Sequence, residues 1–552
     1  MQRRQFRQLT DQRPLILDGA TGTELFKRGL PAGAPPEKWI LDHPDVIQAL
    51  HREYFNAGSD IVLACTFGAN RVKLKDHGLE NQVLDMNVRL AKTSRAVVPE
   101  GGMLFGDMSP TGMLVEPFGP FPFDEAVAVY REQAAALLEG GVDGFMIETM
   151  MDIQETRAAL LAVREIAPDM PCITGLTYDK SGKTIGGATP EVSLLTLQAL
   201  GADAVGCNCS TGPEEMLALL ERMIPYARVP VFIKPNAGMP CLRDGHNHYD
   251  LPPDNFAEAV LRGVGMGARI VGGCCGTTPD HIRATRRALD LNAEKLVPPK
   301  PSRRLAVASA RALVDFSSVD GREAPLAVIG ERINPTGKKA FQAELLAGDM
   351  SRVLSFAEEQ ADAGATLLDV NLGLGGIDEP AMLRTAVAML APATTLPLVI
   401  DSVDPHAMEA ALRLYPGRAL VNSVSGENNR LEHILPLAAK YGAAIIVLPV
   451  GDGHIPATAA ERMHLTETIL AAAASHGLEE SDVLVDGLAM TVSADPAAAL
   501  SGLETIGLCR RRGLAALMGL SNVSFGMPER TWLNAAFLAM GMDRGLTAVI
   551  AN

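Results

Sequence analysis

The sequence predicts an α/β protein built from two consecutive (β/α)8 TIM barrels. The chain has 552 residues, room for two such barrels of ~250 residues each. Short, β-branched-rich apolar runs alternate with helical stretches, eight times before residue 292 and eight times after residue 325. The runs are nearly continuous in apolar residues, as parallel strands buried on both faces require. Nearly all carry a polar or small residue at or near their C-terminal end.

In the first half the strands read LILDGA (15–20), DIVLACT (60–66), MLFGDMSP (103–110), GFMIETM (144–150), CITGLTY (172–178), AVGCNC (204–209), VFIKPNA (231–237) and RIVGGCC (269–275). Helical segments such as DEAVAVYREQAAALLEGG (124–141) lie between them. Residues 292–325 contain Pro-Pro and mixed charge without strand alternation, which reads as a linker with a short helix at 305–315. In the second half the strands read LAVIGERIN (326–334), LLDVNLG (367–373), LVIDSV (398–403), LVNSVS (420–425), AIIVLPV (444–450), VLVDGL (483–488), AALMGLS (515–521) and TAVIAN (547–552). The predicted domains are therefore 1–294, a linker 295–325, and 326–552. Because the last strand meets the last residue, its outer apolar face is expected to lack a covering helix, as in a piece of a longer chain.

Composition narrows the function. Hydrophobic residues make up 47% and charged residues 21%, which excludes wholesale disorder. A formal net charge of -16 argues against nucleic-acid binding, which needs a basic footprint. No apolar stretch reaches the ~18 residues of a membrane span. The basic start MQRRQFRQLTDQRP leads into no apolar signal region. With eight cysteines in so long a chain, a disulfide framework is not expected, and clustered cysteines point to metal or catalysis in a reducing cytoplasm.

Barrel chemistry sits at the C-terminal strand ends. Cys209 ends the sixth run, and Cys274 and Cys275 end the eighth. These runs flank the seventh in a closed barrel, so three thiolates can converge. Three sulfur ligands suit Zn²⁺ and leave a fourth position open for an incoming thiol. Buried packing or a vicinal disulfide is the alternative for the Cys-Cys pair. The glycines of GGCCG (272–276) are read as allowing close approach to a ligand. Asn236 is either a displaceable fourth oxygen ligand or a turn residue. Cys207, two residues before Cys209, shares its side of the strand and competes with it as a ligand.

DGATGTEL (18–25), GCNC (206–209), PNAG (235–238) and GGCCGT (272–277) together resemble the zinc-dependent homocysteine S-methyltransferases over about residues 10–295. The resemblance implies zinc on Cys209, Cys274 and Cys275 and favours Cys209 over Cys207. It implies homocysteine as substrate. Its carboxylate would sit on backbone N–H groups of Ala20 and Thr21, its amino group on Glu148, with Asp18 in the same site. For Glu148 the alternative is an ordinary exposed strand-end carboxylate.

The second half ends its strands with carboxylates and amides: Glu331 and Asn334, Asp369 and Asn371, Asp401, Asn422, Asp486, Asn522. One such residue is commonly a helix cap; six strand ends of eight suit a ring with many N–H groups. GERINPTGKK (330–339), LLDVNLG (367–373), IDSVDPHAMEAAL (400–412), VNSVS (421–425) and GLSNVSFGMPERTWLNAAFL (519–538) resemble the pterin-binding barrels over about 325–552, more closely the methyltetrahydrofolate:corrinoid methyltransferases than the dihydropteroate synthases. The resemblance implies that Asp401, Asn422 and Asp486 hold the pterin. Asn522 would act on the methyl-bearing nitrogen, supported by Glu331, Asn371, Ser524 and Arg530, with Asn522 and Asp486 as the catalytic pair.

The two modules in this order resemble the N-terminal half of the cobalamin-dependent methionine synthases. That implies a 5-methyltetrahydrofolate–homocysteine methyltransferase in which zinc-bound homocysteine takes a methyl group from methylcobalamin and cob(I)alamin is remethylated by 5-methyltetrahydrofolate. The corrinoid-binding D-x-H-x-x-G signature is missing: Asp244-Gly245-His246, Asp404-Pro405-His406 and Asp452-Gly453-His454 all lack the final glycine. Cobalamin would come free, on a separate protein or on a further C-terminal region. The competing expectations are a homocysteine methyltransferase with another donor and an inactive second barrel, and a non-catalytic zinc- and pterin-binding protein.

Overall fold

All sixteen predicted runs form strands in the computed structural model, which describes residues 1–243, 246–318, 324–451, 453–493 and 495–552. The chain divides into two compact units, Met1–Ser302 and Arg303–Asn552.

In the first unit the parallel strands are β1 (Leu15–Ile16), β2 (Ile61–Leu63), β3 (Met103–Met108), β4 (Gly144–Met150), β5 (Cys172–Leu176), β6 (Ala204–Asn208) and β7 (Val231–Lys234). A hairpin of β8 (Cys241–Arg243) and β9 (His246–His248) then precedes β10 (Ala268–Val271). The barrel order is β1-β10-β7-β6-β5-β4-β3-β2. Where β1 meets β2, carboxylates take part in the closure. Asp60 N–H donates to Ile16 O (2.7 Å), while Ile16 N–H donates to the Asp60 carboxylate (2.8 Å) and Leu63 N–H to that of Asp18 (2.8 Å). Phe6, from the amphipathic helix Arg3–Gln12, is fully buried and fills the lower core with Leu15, Ile61, Met103 and Phe105. Outer helices follow local signals. Asp152 caps Ile153–Ile166 by accepting from Glu155 N–H (2.9 Å), and Gly141, at φ 85°, ends Phe123–Gly140 in the left-handed conformation that favours glycine.

The segment predicted to be helical at 305–315 is instead an antiparallel hairpin, β11 (Ala306–Ala308) with β12 (Leu313–Asp315). Its alternating apolar residues have a core to enter: Leu305, Val307 and Phe316 pack beneath the second barrel. Arg418 locks it there, donating to Ala306 O (2.8 Å) and pairing with buried Asp482. The second barrel comprises β13 (Ala327–Ile333), β14 (Leu367–Val370), β15 (Leu398–Asp401), β16 (Leu420–Ser425), β17 (Ala444–Leu448), β18 (Val483–Asp486), β19 (Ala515–Gly519) and β20 (Ala548–Ala551), closed in sequence order. In the last strand Ala548 belongs to the barrel core, while Val549, on the outer face, is 1% exposed, so the bare face expected there is not found at Val549. Among the described residues no helix is long and apolar enough to cross a membrane.

Candidate metal centre and candidate pterin face

The thiols of Cys209, Cys274 and Cys275 converge, with their sulfur atoms all within 4.8 Å of one another. Sulfurs bound ~2.3 Å from a tetrahedral cation stand ~3.8 Å apart, so the set fits a thiophilic cation with little movement. All eight cysteines are free, so the vicinal disulfide is not formed. Cys207 is not a competitor. β6 ends at Asn208, and φ values of 61° at Cys209 and 65° at Ser210 break the alternation. Cys207 stays outside the barrel wall, 1% exposed, where burial pushes its thiol up to about 12. The glycines of 272–276 serve internal packing. A Cβ at Gly273 would lie 2.3 Å from Thr277 Oγ1, and one at Gly276, where φ is +81°, 2.3 Å from the Tyr249 side chain. Thr277 Oγ1 accepts from Ala20 N–H (3.0 Å) and donates to Cys274 O (2.7 Å), tying the first strand loop to the thiol loop.

Mutual hydrogen bonding sets the thiol protonation. Contact with Cys274 lowers Cys209 and contact with Cys275 raises it; burial adds to the rise, leaving it at about 11. Cys209 lowers Cys275 and Cys274 raises it; burial again adds, also to about 11. As an isolated trio they are neutral thiols, and a cation is what would make them thiolates. Asn236, 2% exposed, has a buried Oδ1 without a hydrogen-bond partner. Its backbone N–H donates to Thr211 O (3.1 Å).

A cavity of about 420 Å³ opens beside the thiols, lined among others by Ala20, Thr21, Thr23, Asp107, Glu148 and Lys234. Glu148 is not the exposed carboxylate of the alternative reading: it is 5% exposed, and its two oxygens accept from Lys234 Nζ at 3.1 and 2.9 Å. Burial opposes the charge on Lys234, but Glu148, Asp18, Cys274 and Asp107 hold it well above the ordinary lysine value. Burial raises Asp18 to about 7 against the pull of Lys234 and the Leu63 N–H bond. Ala20 N–H, expected to face a substrate carboxylate, already donates to Thr277. The sequence reading missed Lys234, Asp107 and Thr277. The first two were recoverable from period-2 alternation, because they stand two residues beyond the core residues Phe232 and Phe105.

In the second unit the same phase builds a polar face. Ile329, Leu367, Val399, Leu420 and Leu484 lie in the core; two residues on stand Glu331, Asp369, Asp401, Asn422 and Asp486. Asn371 donates to Asp401 Oδ2 (2.9 Å) and Asn422 to Asp369 Oδ1 (3.0 Å). Asp369, expected among the strand-end carboxylates but given no role toward the pterin, is thus part of the network. Burial raises Asp401, and the Asn371 bond and Arg430 oppose it. Burial raises Asp486 to about 6, opposed by Leu488 N–H and Arg462. Ser521 Oγ donates to Glu331 (2.5 Å). Ser524 is fully buried and accepts from Arg530 Nε (3.0 Å), while Arg530 Nη2 donates to Ser521 O (2.8 Å). Ser524 therefore orients Arg530 from below. Asn522 is exposed, on a short 3-10 turn past β19, with its Nδ2 over Gly519. Asp404, in one of the three D-x-H stretches, caps the helix Pro405–Leu414 by accepting from His406 N–H (2.9 Å). Asp244, Gly245 and Asp452 of the other two lie outside the described residues.

Comparison with known proteins follows the same division. Residues 15–289 match the family model for homocysteine S-methyltransferase, and residues 330–552 that for pterin binding enzymes. The chain is 32% identical to the methionine synthase of Mycobacterium tuberculosis and 31% identical to that of Mycobacterium leprae, each over 98% of this chain and 47% of the relative. It thus spans about half the length of these curated relatives. Among solved structures, the homocysteine methyltransferase MmuM from Escherichia coli in its oxidized form aligns with 51% of this chain and 98% of its own, at 24% identity and a TM-score of 0.44. The chain therefore carries, in this order, a segment that matches the homocysteine S-methyltransferase model and a segment that matches the pterin binding enzyme model, and along nearly its whole length it is similar to about half of these methionine synthases.

Proposed function

We propose that the chain carries the two methyl-handling sites of a methionine-forming methyltransferase. Homocysteine is bound at a zinc centre in the first barrel, 5-methyltetrahydrofolate is the methyl source in the second, and a corrinoid held by another domain or protein relays the group. The observation that carries this reading is the meeting of Cys209, Cys274 and Cys275 beside a cavity whose wall holds buried, oppositely charged groups. The soft, three-sulfur donor set supports zinc and a fourth position for the substrate thiol. Zinc, when bound, would make that thiol a thiolate nucleophile at neutral pH. Asn236 Oδ1, buried without a partner, is the protein oxygen best suited to hold the fourth position before substrate arrives. Glu148 with Asp18, and Thr21 with the helix start at Gly22, would bracket the amino and carboxylate groups. The first N–H groups of that helix have no intrahelical acceptors.

In the second barrel Asp401, Asn422 and Asp486 would hold the pterin ring, with Glu331, Asn371, Ser524 and Arg530 orienting the site. A tertiary amine leaves only once protonated. Asn522 would stabilise that protonation by a hydrogen bond that strengthens as the proton arrives. The free thiols fit a cytoplasmic location.

Metal analysis, titration calorimetry with homocysteine and methyltetrahydrofolate, and methionine formation with and without added methylcobalamin test the reading together. Stoichiometric zinc, binding of both ligands and cobalamin-dependent turnover are expected. Folate silence would instead favour another methyl donor, and homocysteine silence a non-catalytic binding protein.

A further inference from the structure

Two carboxylates of the thiol cavity have no part in the proposed reaction, Glu37 and Asp107; Glu37 Oε1 already accepts from Gly68 N–H (2.5 Å). Asp107 stands at the top of β3, in phase with the core residues Met103 and Phe105, and lines the cavity. It is 7% exposed, and its Oδ1 is buried with no hydrogen-bond partner. The residue is held only through its backbone: Asp107 N–H donates to Thr66 Oγ1 (3.1 Å), and Thr66 Oγ1 donates to Asp107 O (2.8 Å).

The neighbouring carboxylates are engaged differently. Both oxygens of Glu148 accept from Lys234 Nζ. Asp18 accepts from Leu63 N–H through Oδ2; its Oδ1 is likewise buried without a partner, but it is not among the residues lining the cavity. A desolvated carboxylate without a donor is unfavourable unless a ligand supplies one. Asp107 is the cavity carboxylate in that condition.

We infer that Asp107 is a substrate-binding residue whose carboxylate accepts a hydrogen bond from the ammonium group of an α-amino thiol seated at the three cysteines. This rests on the proposed thiol site and assigns its amino-group recognition to Asp107 alongside Glu148. The surrounding charges agree. Burial, then Glu148, Asp18 and Glu37, raise the Asp107 carboxyl well above its usual range; Lys234 opposes them, and Lys73 and Cys65 also lie within its field. An arriving ammonium supplies the missing positive partner, and the acid's proton leaves to solvent.

The test uses the full zinc-loaded chain and two thiols, homocysteine and 4-mercaptobutanoate, which differ by the amino group. Calorimetry on the native protein should favour homocysteine by about 10- to 100-fold, the range of a hydrogen bond to a charged group. Asp107→Asn should lose most of that preference, the remainder resting on Glu148, while binding 4-mercaptobutanoate and zinc as before. Asp107→Ser gives the same reading if the amide variant does not fold. An unchanged preference in the variants overturns the inference and leaves the thiol site standing. Native protein that binds both thiols equally also overturns it. Native protein that binds neither overturns the thiol site as well.

Discussion

The two barrels share an architecture and differ in nearly everything placed on it. The first is filled from below by a helix through Phe6 and joined between β1 and β2 with help from Asp18 and Asp60. The second is filled by the β11–β12 hairpin and closed by a continuous ladder of strands. The upper layers diverge most. Two residues past the core, the first barrel has Asp107, Glu148 and Lys234, with the thiols on the loops above. The second has Glu331, Asp369, Asp401, Asn422 and Asp486. Barrel packing leaves this upper layer free to vary, because the layer below already fills the interior. On the function proposed above, one fold would host a soft cation in one copy and a nitrogen heterocycle in the other.

The sharpest way to break the comparison is to remove one sulfur. Cys274→Ser should lose stoichiometric zinc and slow methionine formation by more than ~100-fold, while methyltetrahydrofolate binding stays unchanged. Metal analysis and calorimetry read both halves of that outcome.

The next test is structural and symmetric. Lys234→Met strands Glu148 in the first unit, and Arg418→Met strands Asp482 in the second; both ion pairs are buried. Each should cost ~3–5 kcal/mol, and calorimetric unfolding should assign each loss to its own unit.

A smaller effect separates the sites by pH. Asp486 is pushed up to about 6. If its ionised form accepts from the pterin, affinity should weaken as pH falls through that value and the group protonates. Asp486→Asn should bind about 10-fold more weakly at pH 7.5 and show a flat profile. Homocysteine binding by the first barrel should not follow the same curve.

The smallest effect concerns the D-x-H stretch at 404–406. Asp404→Ala should cost the second unit ~1 kcal/mol, the worth of a helix cap, with cobalamin-dependent turnover at saturating folate unaltered. Denaturant unfolding and turnover assays distinguish that from a cobalt-ligating role.

Nearly continuous apolar runs alternating with helical stretches determined the sixteen barrel strands, because a strand buried on both faces must be apolar along its length wherever it finally sits. Strand-end position likewise made Cys209, Cys274, Cys275, Asp401, Asn422 and Asp486 legible before any coordinates. The hairpin at 306–315 was not legible, since its apolar residues acquire meaning only against the barrel floor. Nor were the exclusion of Cys207, the pairing of Glu148 with Lys234, the reassignment of Ala20 N–H to Thr277, or the bare carboxylate of Asp107. Each depends on which groups from distant strands meet in a space without water. There a charge or donor must find a partner, and only the folded arrangement decides which one it is.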